Sequence, residues 1–215
     1  MSPSRFRVVT VAREYGSGGA AIAARLAERL GFQLLDRALI ERIAAAARID
    51  PELVQKYDEH VDPWVQRLGR ALWHGGFEAV AVVDENDVVY ADRMAVLGGR
   101  VIEEAAAAGG CVIVGRGGQC VLRGRPDVFH VFVYASREER LRRLRARLGP
   151  GAEVELVAEE TDRERGAYTR RHFGENRLDP HLYHLMVNAS LGEDAAVSAI
   201  LAALGAAAPV PAAAP

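Results

Sequence analysis

Apolar residues along the chain alternate between short runs rich in β-branched side chains and longer stretches with helical spacing. The short runs predict buried strands at residues 8–11, 32–35, 111–114, 128–134 and 183–189. Helical spacing predicts helices from residue 20, over 91–108, after Ser136, over 154–172 and over 193–204. Strands that alternate with helices predict an α/β fold, in which a parallel β-sheet is flanked by helices.

The same pattern divides the chain into one folded unit, an insertion and a tail. We expect a single domain over residues 6–204, because that length suits one hydrophobic core. Residues 37–90 read as a helical insertion, with helices predicted near 39–43, 50–60, 63–72 and, more weakly, 79–83. Two arginine-rich helices joined by the turn Gly149-Pro150-Gly151 are typical of a mobile flap, and residues 149–175 are predicted to form a lid-like segment. The alanine- and proline-rich residues 205–215 are expected to be disordered.

A glycine-rich turn joins the first strand to the first helix. It consists of Gly16, Ser17, Gly18 and Gly19, and the helix follows at once. Such a turn points backbone N–H groups and the positive end of a helix toward an anion, which is most often a phosphate.

Two known motifs compete for this turn, and a turn without a ligand is the third reading. A P-loop would need a lysine at Gly19 and a hydroxyl at Ala20, so only its shape is matched. A dinucleotide-binding fingerprint fits Gly16, Gly18 and Ala21 by letter, with Asp36 in place of its acid. That second motif would make the protein a Rossmann oxidoreductase.

Charge narrows the class of ligand. The net charge of −2 argues against broad nucleic-acid binding but not against a local basic pocket. Lys56 is the one lysine among 27 basic residues, so a phosphate held by a side chain is held by arginine. Arg116 follows the predicted strand 111–114, where α/β sheets bind their ligands.

Other features exclude several classes of protein. Cys111 and Cys120 are too few for a disulfide scaffold, and neither they nor His172, His181 and His184 show metal-ligand spacing. No apolar run is long enough for a membrane span, and no signal peptide is evident. We therefore expect a cytoplasmic protein without a structural metal site.

Five short motifs occur together in a specific order. They are Ala12-Arg-Glu-Tyr-Gly-Ser-Gly-Gly19, Asp36-Arg37, Val112-Ile-Val-Gly-Arg116, Thr161-Asp-Arg-Glu-Arg165 and Asn188-Ala-Ser190. This order resembles the cytidylate-kinase-like family of P-loop proteins over residues 6–204. The resemblance implies a nucleoside monophosphate kinase fold, in which the insertion covers the monophosphate and the arginine-bearing lid closes over the triphosphate.

The resemblance also implies roles for residues and ligands. Gly16, Ser17, Gly18 and Gly19 would bind the phosphates of ATP, with Mg²⁺ as the accompanying ion. Asp36, Arg37 and Arg116 would face the acceptor, implied to be CMP or dCMP. Arg163 and Arg165 would stabilise the transferring phosphoryl group. Small-molecule nucleotides, rather than nucleic acid or membrane, would be the partners.

The chain departs from the family at three positions. Gly19 stands where the P-loop lysine is expected, and Gly117 replaces the acid that would follow Arg116. Ala20 has no hydroxyl to hold a metal ion, unless Ser17 substitutes for it. Arg13, just before the loop, is our candidate for the replacement positive charge. These departures keep a second interpretation open, in which the protein is a catalytically degenerate nucleotide-binding or regulatory protein.

Overall fold

A computed structural model describes residues 6–36, 87–149 and 152–206 of the chain. The helices predicted within residues 37–86, the predicted acceptor residue Arg37 and the tail beyond 206 lie outside the described residues.

Within these ranges the strands form one parallel sheet. The strands are β1 (Val8–Arg13), β2 (Gln33–Leu35), β3 (Cys111–Val114), β4 (Val128–Tyr134) and β5 (Leu185–Asn188). Their spatial order is β2-β3-β1-β4-β5, and Val8 lies opposite both Cys111 and Val128. The central strand β1 therefore delivers the glycine turn between the carboxyl ends of β3 and β4, and the predicted α/β fold is confirmed.

The helices cover both faces of this sheet. They are α1 (Gly19–Leu30), α2 (Asp87–Ala108), α3 (Gly118–Val121), α4 (Arg137–Leu148), α5 (Val154–Phe173) and α6 (Glu193–Ala206). Two short 3₁₀ helices, Pro180–Leu182 and Ala189–Leu191, flank β5.

Two apolar layers hold the helices to the sheet. On one face, Ile22 and Leu26 of α1 and Ile200 of α6 pack with Val9 and Val11 in a single buried cluster. On the other face, residues of α2 pack with Val8 and Ile113 in a second cluster. Because helices cover both faces of the sheet, side chains on both faces are buried, and the strands appear in the sequence as continuous apolar runs.

Most element boundaries agree with the sequence, and the differences have local causes. β1 continues to Arg13 because its ladder with β4 extends to Val133. Helix α2 begins at Asp87, four positions before the predicted start at residue 91. Ser136 caps α4, since its Oγ accepts a hydrogen bond from the Glu139 N–H at 3.3 Å. The Glu139 carboxylate does not complete the capping box but binds Arg142 and Arg143 instead.

The sheet order removes the structural basis of the dinucleotide-binding interpretation. In the Rossmann order, 3-2-1-4-5-6, the first strand lies beside the second. Here β3 lies between β1 and β2. The dinucleotide-binding motif matched by Gly16, Gly18, Ala21 and Asp36 is therefore not accompanied by the Rossmann strand order.

His130 makes the stability of this core dependent on pH. Its ring is buried, its Nδ1 lies 2.7 Å from the Thr10 hydroxyl, and burial, aided by the nearby His184 ring, lowers its pKa to about 4. The unfolded chain takes up a proton near pH 6.5, whereas the folded chain resists it until about pH 4. Stability should thus fall as the pH drops through this window, by up to about 3 kcal/mol. Urea unfolding at several pH values should show a flatter profile for His130→Asn than for the wild type, and equal profiles would contradict this assignment.

Candidate active site

Two glycines shape the turn between β1 and α1. Gly16 and Gly18 have positive φ angles of 80° and 83°, a conformation that L side chains rarely adopt. Gly18 is the N-cap residue of α1, which has no side-chain cap. The buried Ser17 hydroxyl donates to the Glu14 carbonyl at 2.9 Å, which closes the turn on itself. The predicted strand, glycine turn and helix are all present.

Arginine side chains of helix α4 donate hydrogen bonds to backbone carbonyl groups of the glycine turn. Arg140 Nε donates to the Tyr15 carbonyl at 2.7 Å. Arg143 donates to the Ser17 carbonyl and, at 2.8 Å, to the Ala189 carbonyl. These bonds occupy the acceptor groups of the turn, so the turn is fixed from the α4 side without any ligand.

The side chain of Arg13 occupies the room that a P-loop lysine would need. A Cβ placed on Gly19 would lie 2.6 Å from the Arg13 Cβ and 3.4 Å from the Val133 Cβ. The Arg13 guanidinium extends to Gly115, where an added Cβ would collide with its Nη1. The glycine at position 19 therefore leaves the room that the Arg13 side chain occupies.

Gly19→Ala should be destabilising for this reason. Since the neighbours of the new methyl group are Cβ atoms and not flexible side-chain ends, we expect a loss of about 1–3 kcal/mol in the free energy of unfolding. Gly99→Ala is the matched control, because this helical glycine has open space around it. That substitution should be neutral or stabilising by about 0.5–1 kcal/mol. Equal effects in chemical denaturation would contradict the steric argument.

The turn after β3 has an unusual backbone. Gly115, Arg116 and Gly117 have consecutive positive φ angles of 78°, 52° and 68°, and Arg116 is the non-glycine residue with this property in the described ranges. A Cβ on Gly117 would collide with the Phe173 ring at the end of α5. The Arg116 guanidinium lies 5.4 Å from the centre of the Tyr168 ring of α5. Strain of this kind persists where surrounding contacts fix it, and it is concentrated at functional sites.

A basic pocket lies between the two turns and α5. It has a volume of about 230 Å³ and includes Arg13, Arg116, Arg165 and Arg177 among its lining residues, with Glu164 as the acid. Helix α5 contributes Thr161, Glu164, Arg165 and Tyr168, which are spaced so that they share one face of the helix. Several guanidinium groups around one cavity suit a phosphate, which they can bind in a bidentate manner.

Asp162 fastens α5 to the glycine turn. Its carboxylate accepts hydrogen bonds from the Tyr15 N–H at 3.0 Å, from Arg177 Nη1 at 3.1 Å and from Arg140 Nη2. The Arg13 carbonyl accepts two more, from Arg165 at 3.0 Å and from Arg177 at 2.8 Å. The predicted lid segment is thus docked on the end of β1.

The sequence analysis missed the parts played by Asp162 and Arg177. Asp162 stood inside the motif 161–165, so its position carried a signal. Arg177 lies in an irregular segment after α5, and no local pattern distinguishes it from a surface arginine. Its side chain is nevertheless only 8% exposed.

The structure brings some of the predicted site residues together and separates others. Arg13, Arg116 and Arg165 line the same pocket. The Arg163 side chain is 76% exposed and pairs with Glu160 at 3.1 Å, outside the pocket lining. Asp36 follows β2 at the same edge of the sheet and is exposed. The functional roles of all five residues remain predictions.

The structure also bears on metal and membrane binding. In the described ranges, no three histidine, cysteine or acidic side chains come together in a way that would hold a metal ion. None of the described helices has the length and apolar composition required to cross a bilayer.

Solved structures share the fold of the chain. An uncharacterized protein from Eubacterium ventriosum ATCC 27560 superposes with a TM-score of 0.66 at 18% identity, covering 92% of this chain and 98% of its own. A gluconokinase from Sinorhizobium meliloti 1021 has a TM-score of 0.51 at 16% identity, with coverage of 94% and 93%. At such identities the likeness shows a shared α/β fold alone. Comparison with curated protein sequences finds no match.

The sequence itself matches a family model along most of its length. The matched residues, 8–191, include β1, the glycine turn, the turn after β3, helix α5 and strand β5. Because this match covers far more than half of the 215 residues, the chain belongs to the cytidylate kinase-like family.

Proposed function

We propose that the protein transfers a phosphoryl group from ATP to a nucleoside monophosphate, CMP or dCMP being the expected acceptor. Membership of a cytidylate kinase-like family supports phosphoryl transfer of the kinase type. The observation that carries the proposal is the pocket in which Arg13, Arg116, Arg165 and Arg177 converge between the glycine turn and α5.

The chemistry of this reaction requires little covalent work from the protein. The transferred group spreads negative charge over its equatorial oxygens, and catalysis depends on positioning and on neutralising that charge. We assign the ATP phosphates to the turn Gly16–Gly19, and charge stabilisation to Arg13 and Arg165. Arg116, with the predicted Asp36 and Arg37, would bind the acceptor.

Arg13 is proposed to supply the charge that the P-loop lysine supplies elsewhere. Its guanidinium lies against Gly115 in the pocket, and its stem excludes a side chain at Gly19. The positive charge has thereby moved from the first turn of α1 to the last residue of β1. A guanidinium at this place can bridge two phosphoryl oxygens, as an ammonium group cannot do with the same geometry.

The lining of the pocket is compatible with Mg²⁺. This ion is usually held by one or two carboxylates together with substrate phosphates. Glu164 is the carboxylate among the lining residues that the structure describes. When bound with ATP, Mg²⁺ would neutralise phosphate charge, while Glu164 would help to orient it.

Release of ADP in a coupled assay tests the proposal. With ATP and Mg²⁺ present, the rate should rise on addition of one nucleoside monophosphate, and CMP and dCMP should give the largest rise. If none of the common nucleoside monophosphates raised ADP release, the enzymatic proposal would be withdrawn.

A second function has an observation in its favour. The P-loop lysine is missing, and the described structure excludes a side chain at position 19. A catalytically degenerate protein would bind ATP without transferring its phosphoryl group. Calorimetric binding of ATP, combined with no turnover of any acceptor, would favour this regulatory or binding role.

A further inference from the structure

Gln119 is a buried amide at the edge of the arginine pocket. It belongs to the short helix α3, lines the pocket and is only 4% exposed. It lies three residues after Arg116, on the segment that leads away from the strained turn. Glutamine is rarely buried without a hydrogen-bonding reason.

The side-chain amide of Gln119 is available to a ligand in the described part of the protein. Among the described residues, no hydrogen bond joins this side chain to a neighbour. Nor does the described part contain a fully enclosed side-chain nitrogen or oxygen without a partner, so the amide atoms open onto the pocket. A ligand that enters the pocket can therefore pair with this amide.

A second cavity shares this residue as its wall. The cavity has a volume of about 320 Å³, and its lining includes Gln119, Arg123, His181, Tyr183 and His184. Arg123 and Arg125 line it too, and each is paired with an acid, Glu175 and Asp127 respectively. Gln119 therefore lies between the arginine pocket and a cavity whose walls carry aromatic and imidazole rings beside ion-paired arginines.

This pair of cavities matches a molecule with two unlike ends. Guanidinium groups bind a phosphate, whereas rings suit a flat, uncharged partner. A primary amide offers one donor and one acceptor side by side. The pairing edge of a pyrimidine base offers the complementary pair, for example the N3 acceptor and the N4 amino donor of cytosine. A base-free sugar phosphate has no such edge.

We propose that Gln119 hydrogen-bonds the base of a pyrimidine nucleoside monophosphate, with the base in the second cavity and the phosphate in the arginine pocket. Gln119 would be a specificity residue that selects acceptors by their base. This inference rests on the proposed function, because it concerns the acceptor of the same reaction.

Steady-state kinetics of three variants tests the inference. Gln119→Leu removes the donor and acceptor, and Gln119→Glu keeps the shape but loses the donor. We expect both to raise the KM for CMP by about 10- to 100-fold, with the KM for ATP unchanged. Gln33→Leu, at an exposed position of β2, is the matched control and should behave as the wild type.

Inhibition by ribose 5-phosphate separates a specificity role from a structural one. Since this compound has the phosphate but no base, its inhibition constant should be the same in the wild type and in Gln119→Leu. Equal weakening of CMP and ribose 5-phosphate would overturn the inference, as would unchanged kinetics with CMP.

Ligand-induced thermal shifts keep the inference testable if the wild type proves inactive. Absence of turnover would refute the proposed function alone. CMP should then still raise the Tm of the wild type and of Gln33→Leu, but not that of Gln119→Leu. Equal shifts in all three proteins, or no shift in any, would overturn the assignment of Gln119.

Discussion

Replacing Arg165 with alanine should lower kcat by about 100- to 1,000-fold, because removal of a pre-positioned charge donor costs this much in comparable sites. Arg165 lies in the pocket and is held by the Arg13 carbonyl at 3.0 Å and by the Tyr15 ring, whose centre is 5.4 Å from its guanidinium carbon. It is thus fixed before a substrate arrives. Steady-state assays with saturating ATP and acceptor measure the effect.

Arg163→Ala is the matched comparison on the same helix. Residues two positions apart on a helix point about 200° away from each other, so Arg163 and Arg165 cannot both face the pocket. In the described structure Arg163 pairs with Glu160 at the surface. We expect its loss to change kcat by less than about threefold. Equal loss in the two variants would mean that α5 turns or moves during the reaction and that the described position of Arg165 is not the working one.

Replacing Asp162 with alanine should have the largest effect on stability. The carboxylate is 21% exposed and joins Arg140, Arg177 and the Tyr15 N–H. Its removal leaves the buried Arg177 without its acid and takes from Arg140 one of two acids, Glu14 remaining at 3.5 Å. We expect a cost of about 2–4 kcal/mol. For a domain of this size, the Tm should fall by about 5–15 °C, as calorimetry would measure.

Two further variants identify the cause. Asp162→Asn keeps an acceptor for the Tyr15 N–H but loses the charge, so it should retain part of the stability. Glu160→Ala removes an exposed acid from the same helix and should change the free energy of unfolding by less than about 0.5 kcal/mol. If Asp162→Ala were as mild as Glu160→Ala, the docking of α5 would not depend on this carboxylate.

The parts of the site that follow from local sequence were predictable. The run before residue 13 and the glycines at 16, 18 and 19 determine a strand, a turn and a helix through backbone preferences alone. Arg116 was found because it follows a buried strand, and parallel strands bring their carboxyl ends to one edge. Such reasoning needs no knowledge of distant contacts.

Other parts depend on contacts between distant segments. The role of Arg177 could be recognised only from its hydrogen bond to the Arg13 carbonyl, because the two residues lie 164 positions apart in the sequence. The sequence shows that the P-loop lysine is missing. The reason is visible only in the structure, where a Cβ at position 19 would lie too close to the Arg13 Cβ. Arg163 and Arg165 were given one role by family resemblance, although helical geometry already places them on different faces.

Phosphorus NMR of a mixture of the protein, ATP, CMP and Mg²⁺ tests the central claim most directly. Transfer between nucleotides predicts that the γ-phosphate signal of ATP decays while the signals of two diphosphates, ADP and CDP, grow in equal amounts. An unchanged ATP spectrum, or growth of inorganic phosphate without CDP, would contradict the account.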